Sequence, residues 1–217
     1  MGAPLRIDFV SDVTCPWCAI GLRSLERAIS KLGDAVPVVL HLQPFELNPG
    51  MPREGEPIAD YAARKYGAGA DALVARQALI GERGLEVGYE FRLRTHVYNT
   101  FDAHRLLHWA GLEGKALDLK RALLVAYHCR GDNPGLHDVL LNAADEVGLD
   151  VERARGVLAS EAYVAEVRAS VRRWQQLGIA SVPSVIVNER QLIQGGQTVE
   201  AYERALRHIA DEERRTA

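Results

Sequence analysis

The sequence predicts an α/β fold interrupted by a large all-helical insertion, in the order β-α-β, helical block, β-β-α. Three observations predict it. Near the N-terminus, alternation of apolar and polar residues gives way to helical spacing and then to a second strand-like run. A long middle stretch keeps helical spacing and is punctuated by glycines. Near the C-terminus a β-branched run is followed by a tight turn, a short strand and an amphipathic helix.

The elements can be justified in order. LRIDFV (Leu5–Val10) alternates and reads as a strand. From Pro16 to Leu32, the residues Ile20, Leu22, Leu25, Ala28, Ile29 and Leu32 recur at helical spacing, and Gly33 marks a stop. VPVVLHLQPF (Val36–Phe45) reads as the second strand, and the prolines and glycines from Pro44 to Pro57 read as a loop. Residues 58–176 are helical in pattern, with breaks expected at Gly67–Gly69, Gly81–Gly88, Gly111–Gly114, Gly131–Gly135 and Gly148, which gives five or six helices. Val182–Asn188 reads as a strand, Asn188-Glu189-Arg190 as a turn, and Gln191–Gly195 as its hairpin partner. Thr198 is placed to N-cap a helix from Val199 to near Glu213, with Ala201, Tyr202, Ala205, Leu206 and Ile209 on its inner face. The expected division is residues 1–48 with 177–217 as one domain and 49–176 as the inserted one.

Composition narrows the function classes. The chain has 217 residues, 47% hydrophobic and 25% charged, with a net charge of −3, which suits a soluble globular protein. No basic patch stands out, so nucleic acid is not an expected partner. No run approaches the length of a membrane span, so no membrane association is expected. The N-terminus reaches Asp8 without a basic start and a long apolar run, so no secretory signal is expected. Three cysteines do not make a disulfide framework. The expected compartment is the cytoplasm, where a Cys-x-x-Cys pair is redox-active or metal-binding rather than a staple.

Two of the three cysteines stand in SDVTCPWCAIG (Ser11–Gly21), at the turn from strand to helix. Cys15 would sit at the helix N-terminus, where unpaired N–H groups and the macrodipole favour a thiolate. Pro16 suits the first helical turn, because its missing N–H is not needed there. Cys18 lies one turn along and can reach Cys15, which makes Cys15 the exposed nucleophile and Cys18 the buried, resolving thiol. A zinc site would need two further ligands. Cys129 stands alone in YHCRGDN and reads as a small buried helix residue, so no metal is expected. Asp12 reads as the cap of a turn, with proton relay to the thiols as the alternative. SVPS (Ser181–Ser184) reads either as a loop-to-strand boundary or as a cis Val182–Pro183 bond facing the cysteines, and the sequence does not choose between them.

CPWC after the first strand, VPS before the third, and β-α-β … β-β-α around a helical block resemble the thioredoxin fold with a helical insertion, the architecture of the DsbA-like proteins. More closely, the chain resembles the cytoplasmic FrnE-like branch of the DsbA-family oxidoreductases. The resemblance is carried by SDVTCPWCAIG, PFELNP, NTFDAHRLLHWA, AYHCRGDNPG, VLLNAADEVGLD and GIASVPSVIVNERQLIQGGQ. It implies Cys15 as nucleophile, Cys18 as its partner and Pro183 as a cis proline, with the Val182 backbone facing bound substrate. It also implies that Asn99, Thr100, His104 and Arg105 lie on the insertion face that covers the active site. Plain capping and helix packing is the other reading of NTFDAHRL. Trp17 is expected to be partly exposed and to offer an apolar surface to substrate. Ser181 and Ser184 depart from the glycine and the bulkier residue common in the family, and this bears on substrate preference.

The function so implied is thiol–disulfide exchange through Cys15 and Cys18, with protein or small-molecule thiols and disulfides as partners and a monomer or homodimer as the working unit. The redox-active pair needs no separate cofactor, and glutathione is a candidate co-substrate. The alternative is a glutathione-dependent isomerase or transferase of the 2-hydroxychromene-2-carboxylate isomerase or kappa glutathione transferase type, in which a serine usually stands where Cys15 does. A third class is a binding module that has kept the fold without using the thiols.

Overall fold

A computed structural model describes residues 4–67 and 69–216. Met1–Ala3, where the first expected domain begins, lie outside the described residues, as do Ala68 in the expected Gly67–Gly69 break and Ala217 at the end of the second segment. The elements run β1 (Leu5–Ser11), α1 (Pro16–Leu32), β2 (Val38–Pro44), β3 (Glu56–Pro57), α2 (Ile58–Tyr66), α3 (Ala70–Glu86), β4 (His96–Val97), α4 (Phe101–Leu112), α5 (Ala116–Val125), α6 (His137–Glu146), α7 (Val151–Leu158), α8 (Val164–Gln176), β5 (Ser184–Val187), β6 (Gln191–Gln194) and α9 (Val199–Thr216).

The main sheet has the order β2-β1-β5-β6. β1 pairs parallel with β2 and antiparallel with β5, so the two ends of the chain meet along one strand. α1 and α9 cover one face. There Ile7, Phe9, Leu22, Leu25, Val185, Tyr202 and Leu206 share a core. α8 covers the other face through Trp174, which packs with Val10, Phe45, Ile179 and Ile186. With both faces covered, β1 is buried on both sides apart from the exposed Arg6, with Asp8 and Ser11 buried among its apolar residues. Asp8 is fully buried and is answered by Arg6 Nε at 2.9 Å and Gln43 Nε2 at 2.7 Å.

Among the described residues seven helices, α2 to α8, lie between β2 and β5, more than the five or six expected. The extra helix has one local cause, a break after α7 that no glycine announces. The Gly81–Gly88 break falls within the expected range, with α3 running through Gly81 and Gly84 and stopping at Glu86. Gly84 is a packing glycine, since a Cβ there would lie 2.8 Å from the Phe91 ring. A break without any glycine separates α7 from α8, where Tyr163 adopts φ 62°. The structure also adds a two-stranded ribbon, β3 with β4, that periodicity does not announce. α5 continues into a π-helical turn, Ala126–Arg130. The helical block has its own core, and Val13 from the loop after β1 inserts into it beside Leu106, Leu119 and Leu123.

Candidate active site

β1 delivers the chain to the turn Asp12–Cys15, and α1 starts at Pro16. Asp12 is buried and organises this turn. Its Oδ1 accepts from the Thr14 amide at 3.2 Å and hydroxyl at 3.4 Å, and its Oδ2 accepts from the Leu47 amide at 2.7 Å. The carboxylate thus caps the turn and clips the 45–48 loop to it. His104 Nε2 lies 3.8 Å from Asp12 Oδ1 and donates to the Phe45 carbonyl at 3.0 Å. Burial works against the Asp12 charge, yet His104, the Leu47 amide and the Lys120 charge hold its carboxyl below the ordinary value.

Cys15 is the N-cap residue of α1, with extended backbone and Pro16 behind it. Its sulfur lies 3.7 Å from the Val182 carbonyl oxygen, the residue before Pro183, and the Val182–Pro183 peptide is cis. Hydrogen bonding from the Cys18 thiol lowers the Cys15 thiol. The backbone amides of Cys18 and Trp17 assist, while burial and the Asp12 charge oppose. Cys18 is fully buried. Burial pushes its thiol well up, bonding to Cys15 adds to that, and Lys120 pulls the other way. Both cysteines are free thiols. The start of α1 seats directly on the 195–196 turn and on Pro183: a Cβ at Gly196 would lie 2.8 Å from the Trp17 carbonyl oxygen, and one at Gly21 would lie 3.1 Å from Pro183 Cγ.

Cys15 opens onto a cleft of about 470 Å³. Trp17 and Val182 flank the sulfur, the 45–48 loop forms the floor, and α2 and α3 supply the far wall with Tyr61 and Leu73. Lys65, Arg76 and Arg94 bring positive charge to the cleft, and Glu46 brings negative charge. Burial pushes the Glu46 carboxyl up.

The structure brings Cys15, Trp17 and Val182 together at the cleft, with Cys18 and Pro183 behind them. His104 lies underneath, against Asp12 and Phe45. Thr100 is buried at the start of α4. Asn99 and Arg105 are not brought to the cleft. Asn99 Oδ1 accepts from the Phe101 amide at 2.9 Å, and its Nδ2 donates to the Met51 carbonyl at 2.8 Å, so it starts α4 and ties down a loop. Arg105 donates to Asp102 at 2.8 Å and to the carbonyls of Val157, Ser160 and Ala162. Those three carbonyls flank the break between α7 and α8. Cys129 is only half-buried and sits on the π-helical turn, rather than being a buried residue of a regular helix.

Apart from Asp12 and His104, sequence reasoning missed the buried titratable groups around the thiols. Lys120, on α5, is 1% exposed, and its charge acts on Cys18, Asp12 and Cys15. A signal was present: Lys120 stands on the apolar stripe with Leu123, Leu124 and Tyr127, at i+3, i+4 and i+7. His128, on the π-helical turn, donates from Nε2 to the Val13 carbonyl at 3.0 Å, and burial first of all brings its pKa down to about 3.

Comparison with known proteins agrees with this geometry. A family model described as DSBA-like thioredoxin domain matches residues 6–207. A probable DsbA oxidoreductase from Streptomyces coelicolor superimposes with a TM-score of 0.88 at 31% identity, covering 96% of this chain and 91% of that one. A 2-hydroxychromene-2-carboxylate isomerase superimposes with a TM-score of 0.74 at 14% identity, covering 98% of this chain and 99% of that one. The cytosolic disulfide reductase DsbM from Pseudomonas aeruginosa, solved with GSH, gives a TM-score of 0.61 at 18% identity, covering 97% of this chain and 99% of that one. The last two likenesses are likenesses of fold.

Proposed function

The chain belongs to the DSBA-like thioredoxin domain family, and on that premise we propose that it is a thiol–disulfide oxidoreductase working through Cys15 and Cys18. The observation that carries this reading is the asymmetry of the two thiols. Cys15 stands at a helix N-terminus at the mouth of a cleft, its thiol lowered, while Cys18 is sealed behind it with its thiol raised. The Cys15 thiolate attacks one sulfur of a substrate disulfide, the other sulfur leaves as a thiolate, and a mixed disulfide remains on Cys15. The Cys18 sulfur then attacks Cys15, releases the substrate as a thiol and closes the Cys15–Cys18 disulfide. Run backwards, the same steps oxidise a dithiol. Val182 presents its carbonyl beside the Cys15 sulfur and Trp17 presents an apolar wall, which suits an extended thiol-bearing substrate.

The dithiol carries the electrons, so no separate cofactor enters the scheme. Among the described residues no helix is long and apolar enough to cross a membrane. We place the protein in the cytoplasm, with the FrnE-like proteins as its branch and net reduction or isomerisation as its direction, because a reducing pool keeps the pair as thiols. Monomer and homodimer both fit this scheme.

A glutathione-dependent isomerase or transferase is the second reading. Lys65, Arg76 and Arg94 favour it, because they give the cleft positive charge for carboxylates. Cys18 argues against it, since a resolving thiol has no task in such chemistry. Glutathione fits the first reading as a co-substrate.

Redox equilibration tests the proposal. The protein is brought to equilibrium across glutathione buffers, alkylated and weighed, alongside Cys15→Ser. The expected result is one two-thiol transition, at roughly −270 to −120 mV, absent in Cys15→Ser. If no Cys15–Cys18 disulfide forms at any poise, the oxidoreductase reading fails.

A further inference from the structure

We propose that Lys120 is the electrostatic partner of the resolving cysteine, its ammonium holding the Cys18 sulfur as a thiolate while the mixed disulfide on Cys15 is opened. The proposal rests on the exchange reading above and assigns a positioning residue to its second half.

The placement follows from how α5 is docked. Arg121 ties α5 to α1 by donating from Nε to Glu26 at 2.7 Å. Leu123 packs in the helical core beside Val13, whereas Leu124 packs in the sheet core beside Ala19 and Leu22 of α1. Lys120 lies one turn before both leucines on the same face. Its side chain therefore enters where the two cores meet, under the Asp12–Cys18 segment. The groups that face it are Cys15 and Cys18 of α1, Asp12 of the preceding turn and His128 of the π-helical turn. His128 is neutral at ordinary pH and brings no competing positive charge. Asp12 is engaged by Thr14 and Leu47. Among the described residues no hydrogen bond or ion pair holds the Lys120 ammonium.

A buried cation that no hydrogen bond satisfies costs stability, even with the Asp12 charge facing it. Its retention makes physical sense if a negative charge appears beside it during the reaction. Resolution creates one. Cys18 gives up its proton, its thiolate attacks Cys15 Sγ, the Cys15–Cys18 bond forms, and the bond from Cys15 to the substrate sulfur breaks. The departing substrate thiolate takes up the proton, and the two electrons of the dithiol end on the substrate sulfurs. Burial alone would hold Cys18 protonated. The Lys120 charge and the Asp12 backbone amide are what lower that barrier.

The test is a single turnover of the reduced full-length protein with bis(2-hydroxyethyl) disulfide, an uncharged probe, quenched in acid and followed by mass. In Lys120→Met the mixed disulfide on Cys15 should form within about twofold of the normal rate and resolve roughly three- to tenfold more slowly, so that it accumulates. Each tenfold loss of thiolate returns about threefold in nucleophilicity, which sets that range. Lys120→Arg should recover part of the resolution rate. Unchanged resolution in folded Lys120→Met overturns the proposal. A second measurement needs no substitution. The titration midpoint of the Lys120 ammonium, followed by NMR in the unmodified protein, should be lower in the disulfide form than in the dithiol form, because the thiolates raise it. Equal midpoints also overturn the proposal. If the unmodified protein forms no mixed disulfide at all, it is the exchange reading that has failed.

Discussion

Two buried cations of this molecule invite comparison. Arg105, on α4, is 4% exposed, and its guanidinium meets one carboxylate and three carbonyls. Lys120, on α5, is 1% exposed and meets no hydrogen-bond partner among the described residues. The first is complete. It satisfies carbonyls that the end of α7 leaves open and so fixes where the chain turns toward α8. The second is incomplete, and it lies beside the one pair of groups whose charge changes in the proposed reaction. Completeness of partners separates a group that holds the fold from a group that waits for chemistry. Sequence motif alone put them the other way round, with Arg105 at the substrate and Lys120 unremarked.

Arg105→Ala is the strongest way to break this comparison. It strands three carbonyls and removes one partner of Asp102, so unfolding in urea should show a loss of about 3 kcal/mol or more. The folded fraction should still exchange thiols at the ordinary rate. A stable variant with slow exchange would return Arg105 to the active site.

Gly196→Ala should come next. The new Cβ meets the Trp17 carbonyl oxygen, and backbone on both sides leaves little room to yield, so a loss of about 1–3 kcal/mol is expected. Because Trp17 adjoins the cysteines, the Cys15 thiol should also titrate at a different pH. Destabilisation without that change would mean that the 195–196 turn does not set the thiol geometry.

Asp12→Asn sharpens the comparison from inside the cysteine region, since Asp12 is a complete group there. Its folded carboxyl is held below the ordinary 3.8, chiefly by His104 against the pull of burial. A depressed acid contributes stability above its unfolded value and loses it as pH falls through the folded value. Unfolding free energy should therefore drop below about pH 4 in the parent protein and drop less steeply in Asp12→Asn, with a loss of about 1 kcal/mol at neutral pH. The Cys15 thiol should titrate lower in the variant, because the Asp12 charge raises it. A parallel acid limb in both proteins would remove Asp12 from the account. Cys129→Ala should have the smallest effect, within about 0.5 kcal/mol and with exchange unaltered. A shifted redox midpoint in that variant would bring the third cysteine into the chemistry.

Much of the fold was legible. Alternation found β1, helical spacing found α1, and Thr198 accepts from the Ala201 amide as the cap of α9. Those signals are local, and local physics decides those elements. The turn between α7 and α8 was not legible, because it is imposed by a guanidinium more than fifty positions earlier in the chain. The thiols were legible from their spacing, and the residue pair before β5 from its proline. Lys120 was not, because a single lysine in an apolar stripe reads as an exception to periodicity. Arg76, on α3, and Arg94, in the segment before β4, carry no sequence signal of their own, and only the tertiary fold gathers them at the cleft.

The antiparallel pairing of β1 with β5 carries a consequence for synthesis. Cys15 and Val182 are 167 positions apart, and the carbonyl that faces the thiol is contributed by the later segment. At ordinary elongation speeds roughly 10–30 s separate the emergence of the two from a ribosome. Through that interval Cys15 is an ordinary cysteine on an open chain, with neither cleft nor carbonyl beside it. The nascent protein is therefore a client of the cellular thiol pool before it can act on that pool.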